Sequence, residues 1–96
     1  MSELVEVRNV NAPDKVSRVN RAKYDAMRDA LLAVLPPEPP GISVAEALAA
    51  LRPSLPDDLF PEGKTSGWWQ KTVQLDLEAR GEVARTPGRP LRIYRT

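Results

Sequence analysis

The sequence predicts a small α+β domain in which a short N-terminal β-hairpin is followed by three helices and a C-terminal β-hairpin. Three observations carry this expectation. Asn20 to Leu35 and Thr65 to Arg80 place apolar residues at spacings of three and four. Between them, Ser43-Val44-Ala45-Glu46 has the spacing of a helix-starting capping box. Runs of strand-favouring residues separated by turn formers lie at both ends of the helical region.

Leu4 to Val10 and Lys15 to Val19 are short Val-rich runs around Asn11-Ala12-Pro13-Asp14, so residues 1–19 read as a hairpin, with an extended arm as the alternative. Asn20 then caps a helix running to about Leu35. Tyr24, Met27, Leu31 and Val34 share its apolar face, with Arg21, Lys23, Asp25, Arg28 and Asp29 opposite. Pro36-Pro37-Glu38-Pro39-Pro40-Gly41 must end that helix, because proline lacks the amide donor and excludes helical geometry from the residue before it. A stiff connector is expected there. The second helix runs from Val44 to about Arg52, buries Val44, Leu48 and Leu51, and stops at Pro53. Leu55 to Phe60 then make a single turn that drops Leu59 and Phe60 onto the core, and Pro61-Glu62-Gly63 is loop.

The third helix starts near Thr65 or Ser66, either of which can cap it, and ends at Arg80 before Gly81. Trp69, Val73 and Leu77 fall together on a helical projection, and Trp68, Thr72, Leu75 and Ala79 extend the apolar arc to one side. Gln70, Lys71, Gln74 and Glu78 are expected to point away from it, with Lys64 and Gly67 beside them at the first turn. Glu82 to Thr86 and Leu91 to Arg95 then form strands joined by Pro87-Gly88-Arg89-Pro90, with Val83, Leu91 and Ile93 facing inward. The single domain thus divides into an N-terminal hairpin (1–19), a three-helix core (20–80) and a C-terminal hairpin (81–96). That order is the order of a winged helix-turn-helix, in which the last hairpin is the wing.

Composition limits the chemistry. With 96 residues there is room for one domain, and the absence of Cys and His removes thiol nucleophiles, disulfides and imidazole chemistry. No constellation of the remaining polar residues suggests catalysis, so an enzyme, a metal site or a cofactor is not expected. Glu62-Gly63-Lys64-Thr65 invites comparison with a phosphate-binding loop, but Asp58 stands where that motif needs its first glycine and no strand leads in. Asp57-Asp58 are adjacent acids in a proline-flanked turn, expected to be solvated. The segment after Met1 is acidic and alternating, unlike a secretory leader, and the longest apolar stretch, Ala30 to Leu35, is too short to span a bilayer. A cytoplasmic protein with no membrane partner is the expectation.

Leu77-Glu78-Ala79-Arg80-Gly81-Glu82-Val83-Ala84-Arg85 resembles the junction between recognition helix and wing in bacterial winged-helix proteins, where a Leu-Glu-x-x-Gly-x-Val/Ile-x-Arg stretch turns helix into strand. The leucine anchors the helix, the glycine takes the left-handed turn and the strand opens on a buried aliphatic. Over its full length the chain also resembles a family of small uncharacterised bacterial proteins, through Asn20 to Met27 and through Gly67-Trp68-Trp69-Gln70-Lys71-Thr72-Val73-Gln74-Leu75-Asp76-Leu77-Glu78. The resemblance implies the fold and carries no activity.

Two functions follow as expectations. The first is binding of double-stranded DNA, as in a transcriptional regulator. The third helix would enter the major groove, with Gln70 and Gln74 on adenine edges and Lys71, near Lys64, on guanine or phosphate. Arg89 at the wing tip would reach the minor groove, and Arg85 and Arg92 the backbone phosphates. The net charge of +1 gives this little support, although residues 1–60 carry 7 basic against 9 acidic groups and residues 61–96 carry 7 against 4. An Asp76–Arg80 pair, or Arg85 turned under the sheet toward Asp76 or Glu78, would subtract phosphate contacts. The alternative is a protein-interaction module without DNA binding, docking another protein or a second copy through the N-terminal hairpin, the wing or the Trp68–Trp69 pair.

Overall fold

The computed structural model describes residues 3–12 and 14–96, so of the Asn11 to Asp14 turn only Pro13 lies outside the described residues. Strands β1 (Leu4–Arg8) and β2 (Val16–Asn20) pair antiparallel, with Val7 opposite Ser17 and Val5 opposite Val19 on the face turned to the core. The side chains of Glu6, Arg8 and Arg18 share the other face, as period-two alternation requires. The expected hairpin is present.

Helix α1 (Arg21–Val34) begins where Asn20 Oδ1 accepts the Lys23 amide at 3.0 Å. Tyr24, Met27, Ala30 and Leu31 are buried, Val34 is half-buried, and Leu35 leaves the helix in an extended conformation ahead of Pro36. The C-terminal strand holds this exit, since the Arg95 amide donates to the Pro36 carbonyl at 3.0 Å.

A two-residue strand, β3 (Ile42–Ser43), precedes helix α2 (Val44–Leu51). The capping box is formed: the Glu46 amide donates to Ser43 Oγ and the Ser43 amide to Glu46 Oε1, both at 3.1 Å. Ala47 and Leu51 are the buried residues of α2, with Val44 and Leu48 packed beside them. Single 3-10 turns follow at Arg52–Ser54 and Pro61–Gly63, and between them Phe60 is buried and Leu59 half-buried.

Helix α3 (Ser66–Ala79) starts after Thr65, which takes a left-handed conformation at φ 62°. Neither expected cap operates through its side chain toward the helix amides. The Thr65 hydroxyl donates to the Lys64 carbonyl, and the Ser66 hydroxyl donates to the Gly63 carbonyl while accepting Arg52 Nε at 3.2 Å. At the other end Gly81 has φ 79°, its amide donates to Glu78 and the Glu82 amide to Leu77. These two bonds are the Schellman arrangement, which explains the glycine.

Strands β4 (Val83–Thr86) and β5 (Arg92–Arg95) form the C-terminal hairpin, and β3 joins its open side, giving the order β3-β5-β4. Ile42, Ile93, Arg85 and Val83 occupy the inner face and Ser43, Arg92, Thr86, Tyr94 and Ala84 the outer. The result is a mixed α+β molecule of three helices and two small antiparallel sheets among the described residues. Phe60 and Trp69 meet edge to face at 6.3 Å within the buried cluster that also holds Val73, Leu77 and the apolar residues of α1. No helix among the described residues is long and apolar enough to cross a membrane.

The buried arc of α3 turns the opposite way from the expectation. Trp69, Val73 and Leu77 are buried as expected, and so is Asp76, expected on the buried side in a pair with Arg80; but Ser66, Gln70 and Gln74 join them, while Trp68 is 58 % exposed and Thr72, Leu75 and Ala79 are half-exposed. For Gln70 and Asp76 the cause is polar pairing at long range, described next.

Candidate functional site

The surface that the sequence expectation assigned to DNA divides into two groups. Gln70 and Gln74 are 1 % and 5 % exposed and cannot reach a base edge. Gln70 Nε2 donates to the Val44 carbonyl at 3.0 Å, a contact that ties α3 to the first turn of α2. Gln74 Nε2 donates to Glu78 Oε2 at 3.3 Å, and its Oε1 is buried without a partner among the described residues. Both amides are interior polar groups: Gln70 joins α3 to α2, and Gln74 bonds within α3 itself.

Arg85 is also committed. Its Nε and its second guanidinium nitrogen donate to the two carboxylate oxygens of Glu78, the latter at 2.8 Å, and this fork raises the arginine pKa further. The expected turn of Arg85 under the sheet therefore occurs, with Glu78 as its partner, and it fastens the C-terminal hairpin to α3. Lys64, Lys71 and Arg89 are exposed. Arg92 lies on the outer sheet face close to Glu46, whose carboxylate is held below the ordinary range by the Ser43 amide, then by the Ser43 hydroxyl, then by Arg92.

Asp76 is the centre of a larger network. It is 0 % exposed and accepts the Arg8 amide at 2.7 Å, the Tyr24 hydroxyl, and Arg80 Nε at 3.0 and 2.9 Å to its two oxygens. Arg80 reaches on to the Glu6 carbonyl at 3.1 Å. The Asp76–Arg80 pair was legible from its i,i+4 spacing. Its function in docking β1 onto α1 and α3 was not, because Arg8 and Tyr24 lie 68 and 52 positions away.

Docking of the hairpin creates the surface that the sequence did not suggest. Between β1–β2 and the outward side of α3 runs a groove of about 460 Å3, lined on the helix side by Trp68, Lys71, Thr72 and Leu75 and on the hairpin side by Val7, Val19 and Lys15 among others. Arg8 and Arg18 also border it. Helix periodicity brings Trp68, Lys71 and Leu75 to one strip, and Lys15 comes from the end of the hairpin. A second depression, bordered by Asp29, Glu82, Arg95 and Thr96, carries charges of both signs; Glu82 pairs there with Arg28 at 2.5 Å.

What the groove offers chemically is an aromatic ring beside ammonium groups. No curated protein and no solved structure gives a significant match to this chain. The model of one family matches residues 4–93, from β1 into β5, and so covers the N-terminal hairpin, all three helices, β4 and the first half of β5. The chain belongs to the family of unknown function DUF6958.

Proposed function

We propose that this chain is a non-enzymatic nucleic-acid-binding module on a winged-helix scaffold, consistent with a role in transcriptional regulation, that contacts duplex DNA through the outward strip of α3 and the cations on either side of it. The scaffold reading is supported by the order of helix, strand, helix, helix and hairpin, with β3 completing a three-stranded sheet at β5.

The observation that carries the proposal is the position of the N-terminal hairpin. It sets Lys15 across the groove from the strip of α3 that bears Lys71, with Arg8 and Arg18 bordering the groove and their side chains on the outer face of the hairpin, so the basic groups near that helix exceed those the helix itself supplies. Lys64, Arg89 and Arg92 are further phosphate contacts in this reading. Burial of Gln70 and Gln74 removes the amides that would have read adenine, so affinity comes from the backbone and sequence discrimination is weak.

Titration of a labelled random duplex at two salt concentrations tests this. Affinity is expected to fall steeply with salt, and Lys71→Ala to flatten the dependence by about one unit of slope. Absence of binding at about 50 mM salt, where phosphate contacts are strongest, overturns the reading.

The exposure of Trp68 favours a second reading, docking of another protein or a second copy of the chain through that ring. Light scattering over a range of concentrations distinguishes it, since self-association would be lost in Trp68→Ala while a strict monomer removes the second-copy form.

A further inference from the structure

Trp68 is the largest exposed apolar side chain among the described residues, and its only aromatic contact there is with Trp69, centroids 5.1 Å apart and planes at 81°. In an edge-to-face contact at most one face of a ring is covered by its neighbour. Trp68 thus presents stacking surface to the groove beside Leu75, Val7 and Val19. Lys71 stands three positions along the same helix strip and Lys15 across the groove, and neither pairs with a carboxylate among the described residues. Arg18 is partly matched by Glu6 at 4.0 Å, and the strand register carries both side chains to the outer face of the hairpin. The two lysines are therefore the cations that the groove itself supplies.

A stacking ring flanked by unpaired ammonium groups is the chemistry that recognises single-stranded nucleic acid, whose bases have free faces and whose phosphates follow at short intervals. A duplex cannot use this ring in the same way, because each base face inside it is covered by the next pair. We infer that the groove between the N-terminal hairpin and α3 binds an unpaired stretch of nucleic acid, with one base stacked on Trp68 and the flanking phosphates held by Lys15 and Lys71. The volume of about 460 Å3 suits a short stretch and no long track. This deepens the nucleic-acid reading in the class of partner and does not depend on duplex binding.

The test follows tryptophan emission while the full chain is titrated with an oligothymidylate of about twelve nucleotides, within the span of ordinary single-strand sites. A random duplex and a polyglutamate of matched charge are titrated in parallel. Trp69 is buried and supplies a steady background. Oligothymidylate is expected to quench the emission; read by the anisotropy of a labelled oligothymidylate, which does not need Trp68 as reporter, Trp68→Ala is expected to weaken binding about tenfold with an unchanged thermal melt, and Trp68→Phe to recover part of the loss. Lys15→Ala and Lys71→Ala should each lower the salt slope by about 0.7. Quenching by the single strand without duplex binding upholds the groove and overturns the duplex reading. Duplex binding without single-strand binding does the reverse, and binding of neither overturns both. Equal quenching by polyglutamate, or single-strand binding indifferent to Trp68→Ala, overturns the groove assignment.

Discussion

Asp76 shows how a single side chain can hold three elements. A carboxylate taken fully out of water is costly unless its oxygens are bonded, and here the Arg8 amide, the Tyr24 hydroxyl and Arg80 supply the donors. Asp76→Ala should therefore cost about 3 kcal/mol, since it leaves a buried hydroxyl and a part-buried amide unpaired together with a partly exposed guanidinium. Urea unfolding measures it, and a loss below about 1 kcal/mol would show that the network contributes little. The same contact gives a pH signature. Burial, then the hydrogen bond to Asp76 and its negative charge, push the Tyr24 phenol above its usual pKa of 10.0. A pKa raised on folding means that the native state holds the proton more tightly. Its stabilising share is complete below about pH 10 and is lost as pH rises from there toward the folded value. The unfolding midpoint should fall as pH rises above about 10 in the natural chain, and fall less in Tyr24→Phe.

At the scale of elements, periodicity and turn chemistry made most of the fold legible. The Asn20 cap, the Ser43–Glu46 box, the proline stop after α1 and the glycine after α3 each follow from local rules that do not depend on the rest of the chain. Two features were not legible for physical reasons. Strand β3 has two residues, too few for an alternation to be seen, and it exists because β5 lies beside it. Gly41 marks the approach: it has φ 85°, and a Cβ there would stand 2.0 Å from the Ile93 carbonyl oxygen. Gly63 has a similar φ of 74° with open space around it. Gly63→Ala should thus cost only conformational strain, about 1 kcal/mol, and Gly41→Ala clearly more, read as the difference in thermal midpoint. Equal losses would mean that β3 shifts freely away from β5. The second feature is the burial of Gln70 and Gln74, which polarity alone argues against. Gln74→Met keeps the volume, removes the unpartnered amide oxygen and gives up one bond to Glu78, which Arg85 still holds. Stability should be equal or higher by about 1 kcal/mol and duplex affinity unchanged. A selective loss of affinity for particular sequences would return Gln74 to the base-reading role.

For the whole molecule, the distribution of charge in the sequence misplaces the charge of the surface. Basic residues are in excess after Pro61, yet the fold sets Arg80 on Asp76 and Arg85 on Glu78, and Arg95 Nε reaches the Leu35 carbonyl at 3.3 Å. Meanwhile the hairpin carries Lys15 from the acidic half of the chain to the groove beside α3. Linear counting cannot see either change, because each depends on contacts between distant segments. The two kinds of arginine in the C-terminal hairpin should therefore separate in experiment. Arg85→Ala removes the partner of a buried carboxylate and should lower stability by about 1–3 kcal/mol, with little effect on the salt dependence of duplex binding. Arg89→Ala, in an exposed turn, should leave the melt unchanged and reduce the slope of log affinity against log salt by about 0.9. If both variants reduced the slope equally, Glu78 would have to release Arg85 when DNA binds, and the hairpin would then be a moving part of the interface.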